Sequence, residues 1–220
     1  MRLALTRVEA EVDGARAGAT VTGDGTVTIG PLEVGLVTGA PGTGGAGSGG
    51  AVTSGRDAGG AVEVRWTVAN RGDGPVPVRS VALVFLVVDA AEPLRLFRNG
   101  YQSWTPTGVA TFGVDTDPSR VARTEFLQAV HHADQRTVTA PGELRSEWVT
   151  LLADRRGRLV LAGFDDGRTH DGTLRLRHAE AGASGLAGAG ERDTGVELWA
   201  EAFLGDAVLP AGASRALHAV

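Results

Sequence analysis

Apolar residues in this chain come in short runs, most of them alternating with polar ones, and clusters of Gly, Pro, Asn and Asp separate the runs. Ala61-Val62-Glu63-Val64-Arg65-Trp66-Thr67-Val68 alternates cleanly and stops at Asn70-Arg71-Gly72-Asp73-Gly74-Pro75, a dense set of turn formers. A period of two sends successive side chains to opposite faces of an extended chain, so this pattern predicts a half-buried strand. The same reasoning predicts strands over 3–12, 26–29, 32–37, 61–69, 76–88, 94–98, 136–139, 146–153, 159–164, 173–178, 196–204 and 214–220. Val81-Ala82-Leu83-Val84-Phe85-Leu86-Val87-Val88 is apolar at every position, which predicts a central strand covered on both faces. No long segment shows a 3.6-residue period with caps, and turn signals recur every 8–15 residues or so. The expected fold is all-β, a large antiparallel β-sandwich of the supersandwich type.

Two stretches interrupt the strands. Thr38 to Gly60 is almost wholly Gly, Ala, Ser, Thr and Pro, too poor in apolar bulk to pack, and reads as a flexible Gly-rich insertion over 38–60. Ala179 to Gly190 is similar and shorter. Strands of the same style resume after each, so residues 1–220 are expected to form one domain. Near the end, 205–212 reads as a polar turn and 214–220 begins another strand where the chain stops. Domain ends usually fray into polar residues, so a following domain is expected beyond Val220.

Composition narrows the function classes. The 220 residues are 42% hydrophobic and 21% charged, ordinary for a globular protein. Net charge is −5, and Arg supplies all the positive charge, for there is no Lys. The densest basic run is Arg155-Arg156-Gly157-Arg158, so nucleic acid is not an expected partner. The absence of cysteine excludes disulfides, thiolate catalysis and Cys-based metal sites. Met1 to Glu9 lacks a long apolar segment, and no window approaches the ~18 apolar residues of a membrane span. A cytoplasmic protein without a membrane partner is expected.

Several motifs carry more promise than substance. Gly42-Thr43-Gly44-Gly45-Ala46-Gly47 fits G-x-G-x-x-G, but more glycine follows where a dinucleotide site needs a helix. Arg71-Gly72-Asp73 reads as a hairpin turn. His131 and His132 are adjacent, so on a strand they point to opposite faces and only one could join a site with Asp134. Asp115 and Asp117 lack the further oxygen ligands of a calcium loop. Asp165-Asp166-Gly167 reads as part of a turn-rich connection. Ser103 and Ser146 lack the Gly-x-Ser-x-Gly context of a nucleophile elbow. No metal, no cofactor and no catalytic residue is expected within these residues.

The most distinctive chemistry lies in Leu96-Phe97-Arg98-Asn99-Gly100-Tyr101-Gln102-Ser103-Trp104-Thr105-Pro106-Thr107-Gly108. The only Tyr and one of four Trp fall there, interleaved with Asn, Gln, Ser and Thr, while Gly and Pro mark a shaped loop. Flat apolar faces between uncharged hydrogen-bonding groups suit a sugar, whose ring has C–H patches and whose hydroxyls need donors and acceptors. Packing of Tyr101 and Trp104 into the end of a sandwich is the competing reading. Trp199 shares a predicted face with Glu197 and Glu201, opposite Val196, Leu198, Ala200 and Ala202. A Trp on a polar face suits a docking surface for a second domain or subunit. Trp66 and Trp148, also in predicted strands, are expected to pack in the core or between domains.

Asn99-Gly100-Tyr101-Gln102-Ser103-Trp104-Thr105-Pro106 resembles the Asn-x-Trp/Tyr-Gln-Ser-Trp-x-Pro signature of glycoside hydrolase family 36, the α-galactosidases. Arg145-Ser146-Glu147-Trp148 and Glu197-Leu198-Trp199-Ala200-Glu201 extend the likeness in the same order. The resemblance implies an N-terminal β-sandwich domain preceding a catalytic (β/α)8 barrel, which would lie after Val220. It implies that Trp104 leans over the barrel mouth and contacts the substrate, with Tyr101, Gln102, Ser103 and Asn99 shaping that wall. An α-galactoside oligosaccharide, the barrel domain and a homo-oligomeric parent enzyme are the implied partners, and both catalytic aspartates would belong to the barrel. A free-standing carbohydrate-binding module and a structural or oligomerisation sandwich stay open as alternatives.

Overall fold

The computed structural model describes residues 1–22, 25–39, 62–100, 107–115, 142–165, 170–179, 193–217 and 220. Among them there are fourteen strands and no helix, in the all-β, sandwich-type architecture that the alternation predicts. In chain order they are β1 (Arg2–Val12), β2 (Ala15–Thr20), β3 (Thr26–Ile29), β4 (Leu32–Gly39), β5 (Glu63–Asn70), β6 (Val76–Val88) and β7 (Arg95–Arg98). There follow β8 (Gly108–Thr111), β9 (Leu144–Glu147), β10 (Val149–Ala153), β11 (Leu159–Gly163), β12 (Asp171–His178), β13 (Asp193–Leu209) and β14 (Ser214–Leu217). The six-stranded sheet runs β2-β1-β6-β13-β12-β9, and two four-stranded sheets run β11-β10-β7-β8 and β14-β5-β4-β3. All the pairings are antiparallel.

One hydrophobic core joins the three sheets. The six-stranded sheet contributes Val8, Val81, Leu83, Phe85, Val87, Leu174, Leu176, Leu198 and Ala200. Val34, Leu36, Trp66 and Val68 come from β4 and β5, and Leu96, Ala110 and Leu152 from the sheet of β7, β8 and β10. Trp66 is therefore a core residue, as expected. The all-apolar Val81–Val88 forms the second half of β6, which lies between β1 and β13 at the centre of the widest sheet. Its odd positions face the core, whereas Ala82 and Val84 form a separate cluster with Trp199 on the opposite face.

Several expectations need correction. The predicted strand 146–153 is two strands, β9 and β10, in different sheets, and β2 and β8 were not predicted. Asn70–Pro75 is a turn, but it joins β5 of one sheet to β6 of another and so makes no hairpin. Gly205 does not begin a turn. Strand β13 runs on to Leu209, and its register against β6 slips between Phe203 and Ala207. Gly205 sits at that slip with φ +64°, so it absorbs a bulge at a backbone angle that other residues adopt at a cost. The predicted strand 136–139 and most of the 38–60 insertion lie outside the described residues.

Buried Asp154 ties the β10–β11 turn to the connection before β7. Its side chain accepts hydrogen bonds from the backbone N–H groups of Ala91 (3.1 Å), Arg156 (2.9 Å) and Arg158 (2.9 Å), and from Nε of Arg158 (2.8 Å). Burial opposes the charge, but Arg158 and these amides outweigh it and hold the carboxyl down at about 2. A depressed carboxyl stabilises the fold above its unfolded value near 3.8 and ceases to do so as pH falls through about 2. Asp154→Asn is therefore expected to lower the melting temperature by several degrees at pH 7. Melts repeated at stepwise lower pH should show the difference shrinking between about pH 4 and pH 2. A pH-independent difference would assign the loss to shape and not to charge.

Candidate functional site

Strands β7 and β8 form an antiparallel pair in the register Phe97↔Val109 and Arg98↔Gly108, and residues 99–107 connect them. Tyr101, Gln102, Ser103 and Trp104 lie outside the described residues, and Asn99 and Thr107 stand at the two ends of the connection. Asn99 fastens its root to the edge of the six-stranded sheet. Its N–H donates to Ser146 Oγ (2.7 Å), its carbonyl accepts from the Glu147 N–H (2.9 Å), and its Nδ2 donates to the Glu147 carbonyl (2.9 Å). An Asn side chain can donate where a backbone ladder ends, which is what this position requires. Across the connection, the Gly100 N–H donates to Thr107 Oγ1 (3.1 Å). A connection of this length, mounted on two paired strands, is a common place for binding residues.

Beside this root the chain changes sheets within one residue. Trp148, between β9 and β10, has φ +64°, an unusual angle for so bulky a side chain. Its N–H donates to the carbonyl of Gly172 in β12 (3.0 Å), and its carbonyl accepts from the N–H of Phe164 after β11 (2.9 Å). The residue is thus bonded into both sheets, which accounts for the angle it holds. Its half-buried ring lies near-parallel to His170 (6.4 Å, 12°) and edge-on to Phe164 (5.9 Å, 77°). Trp148 is therefore neither a strand residue nor a core residue, but the centre of an aromatic corner.

Gly172 makes room for that corner. A Cβ there would come within 2.4 Å of the Phe164 ring. Gly172→Ala is expected to displace the ring and to cost about 1–3 kcal/mol, as overpacking does. Near-UV circular dichroism would report the loss of the Trp148–Phe164 contact. An unchanged spectrum and melting temperature would count against this packing.

Glu147 connects the corner to a second feature, the outer face of the six-stranded sheet. Its carboxylate pairs with Arg145 (2.5 Å) and accepts from Thr173 Oγ1 (3.2 Å). Burial pushes the carboxyl up, and Arg145 and Thr173 offset only part of that push. Cross-strand register then sets charged rows across the sheet. Arg7, Trp199, Arg175 and Arg145 share one row, while Glu9, Glu201, Thr173 and Glu147 share the next. Glu201, wholly buried, accepts from Arg175, Arg16 (2.6 Å) and Ser80 Oγ (2.8 Å). Burial alone would raise its carboxyl, but the two arginines hold it below the usual carboxylate range. Glu197 accepts from Arg7 and from Trp199 Nε1 (2.8 Å).

Trp199 does sit on the polar face, opposite the core-facing Leu198 and Ala200, but it is only 1% exposed. The guanidinium carbons of Arg177, Arg7, Arg175 and Arg16 lie 4.1, 5.3, 5.5 and 5.6 Å from its ring centroid. These are cation–π distances. The indole is covered by its own chain, so a docking partner on this face would meet arginines and not tryptophan. The sequence carries the signal for this roof in its i, i+2 charges, Arg7-Val8-Glu9, Arg145-Ser146-Glu147 and Arg175-Leu176-Arg177.

Of the other residues considered, Asp165 is exposed beyond Phe164, and Asp115 accepts from the Thr111 N–H (2.6 Å) in a turn. Asp117, Asp166, His131, His132, Asp134 and Gly42–Gly47 lie outside the described residues. Among the described residues there is no group of three His, Asp or Glu that could hold a metal ion, and no helix long and apolar enough to cross a membrane. The chain matches no protein-family model, no curated protein and no solved structure.

Proposed function

We propose that this chain is the non-catalytic sandwich domain of an α-galactosidase-like, retaining glycoside hydrolase of family 36. In this reading the Asn99–Pro106 loop forms one wall of an active site whose two catalytic aspartates belong to a following (β/α)8 barrel. Trp104 stacks on the sugar of an α-linked galactoside such as a raffinose-type oligosaccharide, and Tyr101, Gln102 and Ser103 shape the wall. The observation that carries the reading is the Asn99–Pro106 signature at the β7–β8 connection, rooted by Asn99 on β9. The two lesser stretches of likeness, 145–148 and 197–201, support it: residues 145–147 and 197–201 lie in the same six-stranded sheet, with β12 between them.

The decisive test is the reading frame beyond the Val220 codon, followed by activity. A frame continuing into a barrel with two spaced aspartates is expected. The longer enzyme should hydrolyse a chromogenic α-galactoside and lose transition-state binding on Trp104→Ala, whereas the 220-residue chain alone should be inert. A stop codon, together with saturable galactose binding by the 220-residue chain, would replace this reading with a free-standing carbohydrate-binding module.

A further inference from the structure

Backbone hydrogen bonding fixes which groups of β11 point away from its sheet. Strand β11 ends the β11-β10-β7-β8 sheet and pairs with β10 in the register Leu151↔Leu161 and Leu152↔Val160. The Phe164 N–H donates to the Trp148 carbonyl (2.9 Å), and the Asp154 N–H donates to the Arg158 carbonyl (3.0 Å). Bonded pairs alternate along an antiparallel ladder, so Arg158, Val160, Ala162 and Phe164 turn their backbone groups toward β10. Leu159, Leu161 and Gly163 turn their N–H groups and carbonyls the other way, out from the margin of the sheet. Among the described residues these outward groups meet no partner. Buried backbone groups of this kind are almost always paired, and open ones are a template for another strand.

The side chains along this margin are apolar and uncovered: Leu161 is 71% exposed and Leu159 60%. Proteins normally blunt an open edge with Lys, Pro or a bulge. Leu159-Val160-Leu161-Ala162-Gly163 has none of these, and its register against β10 is unbroken. The other marginal strands offer less. Strand β9 is tied to Asn99, and β2 holds only Ala, Gly, Arg and Thr. Strands β3, β8 and β14 are four residues long.

We propose that the β11 edge is a strand-addition site for an extended segment of another protein, apolar at alternate positions and acidic at its C-terminal end. Outward groups on alternate residues repeat about every 6.6 Å, a spacing that a second extended chain matches. Antiparallel pairing is the more stable. A segment added in that sense sets two alternate residues opposite Leu161 and Leu159, with their side chains on the same face as the leucines. Its C-terminal end then reaches the β10–β11 turn, where Arg155 and Arg156 are exposed, and its N-terminal end lies toward exposed Asp165. The charges at the two ends of β11 thus select both the direction of the segment and its acidic end. The inference does not depend on the sugar-binding reading.

Amide NMR of the whole 220-residue chain with the peptide Thr-Val-Thr-Val-Thr-Asp-Asp tests it. The peptide should bind saturably with a dissociation constant of about 0.1–1 mM, and near saturation slow hydrogen exchange at the Leu159 and Leu161 amides about 10-fold. Methylating the two valine nitrogens removes the donors that face β11 and should weaken binding at least about 10-fold. Leu161→Pro should do the same, because it deletes an outward N–H and leaves the bonds to β10 whole. Lys-Lys in place of Asp-Asp should weaken binding about 3–10-fold, a gap that closes in high salt. No saturation by about 5 mM would overturn the proposal. So would equal binding of the methylated peptide, a comparison that leaves the chain unaltered, and equal binding of the Lys-Lys peptide would overturn the acidic end. Protection of Leu159 and Leu161 that rises with the concentration of the chain alone, together with a doubled mass, would give the edge to a second copy and overturn it as well.

Discussion

Replacing Glu201 with alanine lowers the unfolding free energy by about 3–5 kcal/mol, the loss expected when one partner of a buried ion pair is removed. The carboxylate is wholly buried and receives Arg175, Arg16 and Ser80. Arg16 is partly exposed and can turn to water, but the Arg175 side chain is only 10% exposed. Arg175 would be left charged in a dry site beside Arg145, its cross-strand neighbour on β9. The comparison that isolates this cause is the double replacement Arg175→Met with Glu201→Leu, which removes both charges and keeps volume. It should recover a large part of the loss, because a buried pair adds little over apolar residues of similar shape. Denaturant melts read both variants. The Glu201→Ala deficit should also fade as the solution is acidified below about pH 4, since a carboxyl held low stabilises only while ionised. A deficit below about 1 kcal/mol would mean that water, and not the protein, solvates this face.

Asn70→Ala should cost about 3 kcal/mol, because one side chain completes three hydrogen bonds with no water to replace them. Nδ2 donates to the carbonyls of Gly74 (2.7 Å) and Leu209 (2.8 Å), and Oδ1 accepts from the Gly72 N–H (2.9 Å). The residue is 0% exposed, and its backbone bonds Ala213 and Gly212 as well. The turn that crosses from β5 to β6 is thereby fixed to the turn between β13 and β14. Asn70→Asp discriminates further. It keeps the acceptor for Gly72 but aims a carboxylate at two carbonyl oxygens, so it should be worse than alanine at pH 7 and improve on acidification. Thermal melts of the two variants at pH 7 and pH 4 would test the order. Equal stability of both with the unaltered chain would refute the assigned amide orientation.

The alternation of side chains made most of this fold legible. Where one face is buried and the other wet, as in Glu63–Asn70, period two leaves no choice of register. The pattern fails where the physics differs. Ala15–Thr20 pairs only with β1 at a sheet edge and is largely exposed, so nothing forces apolar residues into alternate positions. Residues 146–153 read as one strand because the switch between sheets is made by backbone angle at Trp148, which composition does not announce. At the site, Asn99 and the aromatic loop stood out by residue type. The Glu147–Arg145 pair and the roof over Trp199 did not, because long-range register brings their members together.

The roof has a chemical asymmetry that follows from the absence of lysine. Guanidinium groups keep their proton beyond pH 12, whereas an ammonium in the same place would shed it near 10.4. Burial pushes the Arg175 guanidinium below its ordinary value. At Arg7 and Arg16 burial is outweighed by pairing with Glu197 and Glu201, which holds them above theirs, so these cations persist through strongly alkaline solution. From the acid side, titration reaches the lattice through Glu201. Tryptophan emission from this ring should hold steady as base is added and shift only in acid. The outer layer of the widest sheet is built to tolerate alkali.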